Sequence, residues 1–200
     1  VNQAAKWHYM FGGEMCAPMV IRMIIGRGWG QGPQHSQALH AWFAHIPGLK
    51  VVLPATAYDA KGMLIAAVKE ENPVVFLEHR WLYNIKDTVP ESGYEIPLDK
   101  ALIKREGADV TLIGISYMTL ECLRAADLLA EQGIDAEVID LRSVRPIDYD
   151  TLIDSVKKTG LVLIADHATL VGSIASELAS SLGEKLFDSL QQAPIRVGLP

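Results

Sequence analysis

The chain has 200 residues, of which 50% are hydrophobic and 21% are charged, and its formal net charge is -6. This length suits one large domain or two small ones with a real hydrophobic core. The acidic balance excludes a nucleic-acid or anionic-membrane binder, which needs a basic excess, and no apolar run is long enough to span a bilayer.

The first 84 residues alternate between helix and strand patterns. Apolar runs predict buried strands at 18–25, 49–54 and 74–78, with helices at 3–10, 36–45 and 56–72. The third helix carries a capping-box pattern, in which Thr56 is followed three residues later by Asp59. The order strand, helix, strand predicts βαβ units on a largely parallel sheet.

Residues 26–37 carry a glycine at every second position from 26 to 32, followed by Pro33 and His35. In an extended backbone this period leaves one edge without side chains, so a ligand or another chain can approach closely. The spacing differs from the phosphate-binding G-x-G-x-x-G pattern. The helical pattern that follows has Ser36 as its predicted N-cap.

This arrangement places His35 at the N-terminus of the predicted helix, where the positive end of the dipole disfavours an imidazolium ion. A neutral imidazole there can donate a hydrogen bond to a carboxylate or a developing oxyanion. The alternative is a glycine-rich loop whose histidine only packs. His35 is therefore the candidate catalytic residue. The other five histidines are interpreted as packing or surface residues, and His79, after a strand end, is the next candidate.

The second half of the chain predicts another α/β unit. Residues 85–98 are polar and punctuated by proline, which predicts a linker between a domain at 1–84 and a domain at 99–200. The second domain has predicted strands at 110–115, 137–141, 161–165 and 195–197, and helices at 118–133, 148–158 and 172–190. The helix at 148–158 has Asp148 as its predicted N-cap and is closed by Gly160. The predicted fold class is α/β with open, mostly parallel sheets, a scaffold that does not choose a function.

The two cysteines, Cys16 and Cys122, form no C-x-x-C motif and no metal-ligand cluster. Both are interpreted as ordinary thiols. A reducing compartment such as the cytoplasm is therefore the simplest expectation.

Several stretches resemble the beta subunit of thiamine-diphosphate-dependent 2-oxo acid dehydrogenases, the decarboxylating components of the pyruvate, branched-chain and acetoin complexes. The resemblance lies in residues 34–37, 41–52, 59–62, 71–76, 78–79 and 140–148, and it extends over nearly the whole chain. It implies the C-terminal part of a transketolase-like pyrimidine-binding domain, followed by a transketolase C-terminal-like domain.

The resemblance implies decarboxylation of a 2-oxo acid, most simply pyruvate, on thiamine diphosphate and transfer of the acyl group to lipoamide. His35 matches the family's active-site histidine. The resemblance also implies truncation at both ends, with the cofactor-activating glutamate lying before Val1. The fragment alone is then expected to be inactive.

A potassium site is also implied, which the family builds largely from main-chain carbonyls. Its positions here are Met19, Ala67, Val68, Glu70 and Asn72, although many relatives carry aspartate where this chain has Glu70. Carbonyls at a helix C-terminus and hard oxygen ligands suit a hard cation. The alternative is a solvated helix end with Asn72 as its cap.

The implied partners are an alpha subunit, in an assembly of two alpha and two beta chains with a beta–beta contact, and a dihydrolipoyl acyltransferase core. The alpha subunit is expected to hold the diphosphate and its Mg²⁺, because this chain has no G-D-G…N motif. The expected location is the cytoplasm, or the mitochondrial matrix in a eukaryote. Two alternatives stay open: another transketolase-superfamily enzyme, and a non-catalytic dimerisation or assembly module.

Overall fold

The computed structural model describes residues 1–26 and 31–199, and the chain divides into two compact units. The first unit contains Val1–Asp99 and Ser143–Pro146, and the second contains Lys100–Arg142 and Ile147–Pro200. Each unit has its own open sheet, which confirms the predicted α/β class.

Strands and helices alternate along most of the chain. In chain order they are α1 (Asn2–Met10), β1 (Val20–Ile25), α2 (His40–Ala44), β2 (Lys50–Val52), α3 (Ala57–Lys69), β3 (Val74–His79), β4 (Leu102–Arg105), β5 (Val110–Gly114), α4 (Tyr117–Ala130), β6 (Ala136–Asp140), β7 (Ser143–Arg145), α5 (Tyr149–Thr159), β8 (Val162–Thr169), α6 (Ile174–Lys185) and β9 (Ile195–Leu199). Two short 3-10 helices cover Pro33–His35 and Arg80–Asn84.

The sheet of the first unit has the strand order β1-β3-β2-β7. β1 and β2 both run parallel to β3, as the alternation predicts, whereas β7 runs antiparallel to β2. Every residue of β3 is buried, which suits a central parallel strand with a near-continuous apolar sequence. The ends of β1 and β3 are therefore held in a fixed register.

The capping prediction for α3 is confirmed. The backbone N–H of Asp59 donates to Thr56 Oγ1 at 3.0 Å, and the Thr56 hydroxyl donates to the Asp59 carboxylate at 2.6 Å. Residues 85–98, predicted as a linker, pack on this helix through Ile96 and Leu98, which join the buried cluster around Met63. The end of that segment thus belongs to the core of the first unit, whereas most of residues 85–93 are exposed.

The second unit contains a five-stranded sheet with the order β4-β6-β5-β8-β9. β6, β5, β8 and β9 are parallel, and β4 pairs antiparallel with β6 at one edge. The apolar core lies between this sheet and its helices, and includes the thiol of Cys122. Burial, followed by the nearby Glu121 and Asp140 carboxylates, raises the pKa of Cys122 to about 12, which makes it an unreactive thiol.

The caps of α5 are those that the sequence predicts. Asp148 accepts the backbone N–H of Thr151 at 3.4 Å and its hydroxyl at 2.8 Å, and Gly160 ends the helix at φ +71°. Asp148 also accepts the backbone N–H of Ala101 at 3.2 Å, with Lys100 Nζ at 3.4 Å. One buried carboxylate thus ties the start of α5 to the chain entering β4.

Burial alone would raise the pKa of Asp148, but the hydrogen bonds from Thr151 and Ala101 and the charge of Lys100 outweigh it and lower the pKa. A lowered folded pKa adds stability above the unfolded pKa, and this stability is lost as pH falls through the folded pKa. We expect Asp148→Ala to reduce the free energy of unfolding by about 1–2 kcal/mol at pH 7. Urea titrations of both proteins at pH 7 and in acid check this, since the difference should shrink on acidification. An equal deficit at both pH values would contradict it.

The predicted start of the second helix, at Ser36, is wrong. α2 begins at His40, with Leu39 at the N-cap position, and it is only five residues long. Ser36 instead donates its hydroxyl to the Gly32 carbonyl at 2.7 Å, closing a turn around Pro33–His35. A local side-chain bond to the backbone therefore replaces the predicted cap.

None of the helices among residues 1–26 and 31–199 is long and apolar enough to cross a membrane.

Candidate active site

The carboxyl ends of β1 and β3 lie side by side, with Ile25 opposite His79 in the parallel register. Open α/β sheets bind ligands outside the carboxyl ends of their strands. The chain leaves β1 into the glycine segment and leaves β3 into the 3-10 helix Arg80–Asn84. The described end of the first connection meets the second where Arg80 donates a hydrogen bond to the His35 carbonyl.

The glycine segment begins with a residue that must be glycine. Gly26 has φ +77°, and a Cβ there would lie 2.2 Å from Nε2 of His79. Its backbone N–H donates to the carbonyl of Gln37 at 3.0 Å, which closes the base of the loop 26–37. Gly26 and Gly32 both take positive φ, so the extended period-two backbone predicted here is not found at these two positions. Gly28 and Gly30 lie outside the described residues.

His79 is buried at the end of β3, with 3% of its surface exposed. Its Nδ1 accepts the backbone N–H of Trp81 at 3.2 Å, so the proton of the neutral ring is on Nε2, the atom nearest Gly26. The rings of His79 and Trp81 meet edge to face, with centroids 6.0 Å apart. The His79 side chain therefore packs between the end of β3 and the start of the glycine segment.

His35 is exposed at the end of its 3-10 helix. Its carbonyl accepts a hydrogen bond from Nη2 of Arg80 at 3.4 Å, while its imidazole makes no hydrogen bond to another described residue. The predicted placement at a helix N-terminus is wrong, because α2 starts five residues later. The imidazole is available for a ligand because it is exposed. The predicted effect of a helix dipole on this ring does not apply.

Two charged residues flank His79. Glu78 is buried and accepts hydrogen bonds from Arg22 at 2.7 and 3.0 Å and from the Tyr83 hydroxyl at 2.7 Å. Burial and the bond to Glu78 raise the pKa of Tyr83 to about 12, so this hydroxyl stays protonated. Arg80, by contrast, pairs with no carboxylate of the described residues, and its Nε is buried without a partner there.

The five predicted potassium ligands lie around the end of α3 and the starts of β1 and β3. The Ala67 carbonyl accepts the N–H of Glu70 at 3.2 Å, and the Met19 carbonyl accepts the N–H of Val74 at 2.9 Å. The Glu70 carboxylate pairs with Lys50 and accepts the Asn72 side chain at 3.3 Å. Val68 is exposed on the last turn of α3.

Burial acts to raise the pKa of Glu70, but the bonds from Lys50 and Asn72 dominate and lower it. The carboxylate is therefore already neutralised by Lys50, and main-chain oxygens are the better candidates for cation ligands at this end of α3. In the described part of the chain, no group of three or more His, Cys, Asp or Glu side chains is arranged to hold a metal.

Sequence reasoning singled out His35 and pointed to His79, but it did not identify Arg80, Glu78 or Tyr83. Arginine and tyrosine after a strand are ordinary surface residues by composition. The available signal was position, because both follow a buried strand whose carboxyl end lies beside the glycine segment.

Two family descriptions match the chain. Residues 1–86 match the pyrimidine binding domain of transketolase, and residues 99–200 match the transketolase C-terminal domain. Among solved structures, a chain described as "Split gene transketolase, inactive beta4 tetramer" is similar with a TM-score of 0.74 and 27% identity, covering 98% of this chain and 63% of that one.

Curated relatives confirm the resemblance to beta subunits. The chain is 47% identical over 196 residues to the acetoin:2,6-dichlorophenolindophenol oxidoreductase subunit beta of Bacillus subtilis, covering 98% of this chain and 57% of that protein. It is 43% identical to the pyruvate dehydrogenase E1 component subunit beta of the same organism, covering 100% of this chain and 62% of that protein. The mitochondrial pyruvate dehydrogenase E1 component subunit beta of Dictyostelium discoideum is also 43% identical, with 98% and 56% covered.

The chain thus spans little more than half the length of these relatives. Because the matched domains cover residues 1–86 and 99–200, this chain belongs to the transketolase family.

Proposed function

We propose that the full-length protein is the beta subunit of a pyruvate-dehydrogenase-like enzyme that decarboxylates a 2-oxo acid on thiamine diphosphate and passes the acyl group to a lipoyl group. The observation that supports it best is the exposed His35, whose backbone carbonyl accepts a hydrogen bond from Arg80 just past the carboxyl end of β3. The named beta-subunit relatives support the same reaction class.

His35 is the residue of this chain proposed to act on the substrate. An imidazole can both donate and accept a proton near neutral pH, and this one has no competing partner among the described residues. It would orient the substrate carboxylate or donate a proton during acyl transfer. Gly32, three residues before it, has open space where a side chain would stand, which allows a close approach of a bulky group.

Thiamine diphosphate supplies the carbanion stabilisation when bound. The pyrimidine-binding match over residues 1–86 and the exposed imidazole fit such a cofactor. We assign its diphosphate and Mg²⁺ mainly to an alpha subunit, in an assembly of two alpha and two beta chains that docks on an acyltransferase core. The proposed compartment is the bacterial cytoplasm or the mitochondrial matrix.

Acetoin is the second candidate substrate, because beta subunits named for acetoin oxidation are 45% and 47% identical to this chain. Acetoin has no carboxylate, so the two substrates differ in charge. Mass spectrometry of a lipoyl domain acylated by the assembled enzyme decides between them. Acetylation with pyruvate as the faster substrate supports the proposal, and acetylation with acetoin alone would replace it.

A potassium ion is proposed at the end of α3, with the main-chain oxygens of Met19, Ala67 and Val68 as its principal ligands. Carbonyls of the last helical turn lack intrahelical partners and carry the negative end of the dipole. The Ala67 and Met19 carbonyls each accept one N–H and keep a second lone pair. Glu70 and Asn72 would complete the site, although Lys50 already neutralises the Glu70 carboxylate.

Replacing potassium with sodium at equal ionic strength is expected to lower the melting midpoint of the full-length protein by about 2 °C, because the bound ion stabilises only the folded state. Differential scanning calorimetry in the two salts measures this shift. Caesium, which is larger, is the control for general salt effects. Identical midpoints in potassium and sodium would leave a solvated helix end capped by Asn72.

An assembly role without catalysis is the second candidate function, and it is favoured by the similarity to a chain described as an inactive beta4 tetramer. Titrating thiamine diphosphate into the purified chain by calorimetry separates the two. Binding by the chain without a partner would count against a role limited to assembly.

A further inference from the structure

We propose that His79 and Arg80, at the carboxyl end of β3, are positioning residues that fix the turn carrying His35. His79 acts on the start of the loop 26–37 through Gly26, and Arg80 acts on its far side through the His35 carbonyl. This proposal rests on the proposed function of His35 and names two residues that the function needs but that do not themselves react.

The first connection is steric. Nε2 of His79 lies 2.2 Å from the position that a Cβ of residue 26 would occupy, so the ring fills the side-chain space of Gly26. Gly26 in turn donates its N–H to Gln37 at 3.0 Å, two residues beyond His35. A shift of the His79 ring would therefore displace Gly26 and, through this hydrogen bond, Gln37.

The second connection is a charge-assisted hydrogen bond. Nη2 of Arg80 donates to the His35 carbonyl at 3.4 Å, while Nε of the same guanidinium is buried without a partner among the described residues. Burying part of a cation that no carboxylate neutralises costs free energy. We infer that this cost is offset because the Arg80 guanidinium stabilises the turn that carries His35.

The side chains at the end of β3 are themselves held in place, so they can fix the position of the His35 turn. The N–H of Trp81 donates to Nδ1 of His79 and holds its ring. Glu78 on β3 is fixed by hydrogen bonds from Arg22 on β1 and from Tyr83. Side chains locked by packing and hydrogen bonds can hold a reacting group in place, and a displacement of about 1 Å can cost on the order of 100-fold in rate.

The test uses the full-length protein assembled with its alpha partner and loaded with thiamine diphosphate. The variants are Arg80→Gln, Arg80→Lys, His79→Ala and Arg80→Gln combined with His35→Ala. Arg124→Gln, on the exposed face of α4 in the second unit, is the matched control for loss of an arginine. The readouts are kcat and KM for lipoyl acylation, the dissociation constant of thiamine diphosphate, and the melting midpoint.

We expect Arg80→Gln and His79→Ala to lower kcat by at least about tenfold, with the cofactor dissociation constant and Arg124→Gln unchanged. Arg80→Lys, which keeps a donor, should recover most of kcat. Adding Arg80→Gln to His35→Ala should cause no further loss, because a positioning residue acts only through the residue it positions.

The outcomes separate this inference from the function itself. Unchanged acylation in His35→Ala removes the proposed role of His35, on which the positioning rests. Full activity of Arg80→Gln and His79→Ala, with His35→Ala impaired, overturns only the positioning. Additive losses in the double variant also overturn it, since they show that Arg80 acts independently of His35. A fall in melting midpoint shared by Arg80→Gln and Arg80→Lys, with equal loss of kcat, would show a structural role instead.

Discussion

His35→Ala in the assembled full-length enzyme is expected to lower the rate of lipoyl acylation by about 100- to 1,000-fold, the typical effect of removing one preorganised donor from an active site. His35 is exposed and its imidazole has no hydrogen-bond partner among the described residues, so the loss of the ring should leave the fold intact. Single-turnover acylation of a lipoyl domain measures the rate. Calorimetry should give an unchanged dissociation constant for thiamine diphosphate.

His45→Ala is the matched control, because His45 is also exposed and lies ten residues along the chain, after α2. It should retain the parent rate. Equal rates in His35→Ala and the parent protein would remove His35 from the mechanism. A loss of cofactor binding together with acylation would place His35 in the cofactor site instead.

Lys158→Met is expected to lower the free energy of unfolding by about 3 kcal/mol, because it leaves a buried carboxylate without its cation. Lys158 on α5 pairs with Glu137 on β6, whose side chain has 0% of its surface exposed. The same carboxylate oxygen also accepts the backbone N–H of Gly107 at 3.4 Å. Chemical denaturation at pH 7 measures the difference.

The pH dependence of this pair has a definite sign. Burial acts to raise the pKa of Glu137, but the hydrogen bonds from Lys158 and Ser155 and the charge of Lys158 together outweigh it and lower the pKa. The pair therefore contributes stability above the unfolded pKa of Glu137, and that contribution is lost as pH falls through the folded pKa. Lys158→Met removes the largest contact that favours the ionised carboxylate, so burial disfavours that form more strongly in the variant. The stability deficit of the variant should therefore shrink on acidification. Lys158→Met combined with Glu137→Gln should recover much of the loss. A deficit independent of pH would contradict this account.

The secondary structure was largely predictable where one local pattern dominated. Runs of apolar residues marked β1, β3 and β5, and the caps at Thr56 and Asp148 marked the starts of α3 and α5. In these elements burial and end-capping favour the same conformation, so the local pattern and the folded structure agree.

The failures occurred where long-range contacts decide. β7 has three residues and forms because Val51 and Val52 of β2 provide an antiparallel partner in the first unit. β4 was not predicted, and it is held at the edge of the second sheet by β6. Ser36 matches an N-cap by residue type, but it bonds to Gly32 instead.

The sequence predicted the central residue of the candidate site, His35, but not the residues that position it. The resemblance and the glycine pattern both pointed to His35, whereas the predicted reason, a helix N-terminus, was wrong. Arg80 had no signal in residue type or local periodicity, because its role depends on a hydrogen bond between residues 45 positions apart. Pairing across parallel strands brings such residues together, and no local periodicity encodes it.

The central claim is that the His35 imidazole faces the bound cofactor and substrate. Modification by diethyl pyrocarbonate, mapped by mass spectrometry in the full-length enzyme, tests this directly, with the exposed His8 and His45 as internal references. We expect thiamine diphosphate together with a 2-oxo acid to protect His35, while His8 and His45 react as before. Equal reactivity of His35 with and without these ligands would contradict it.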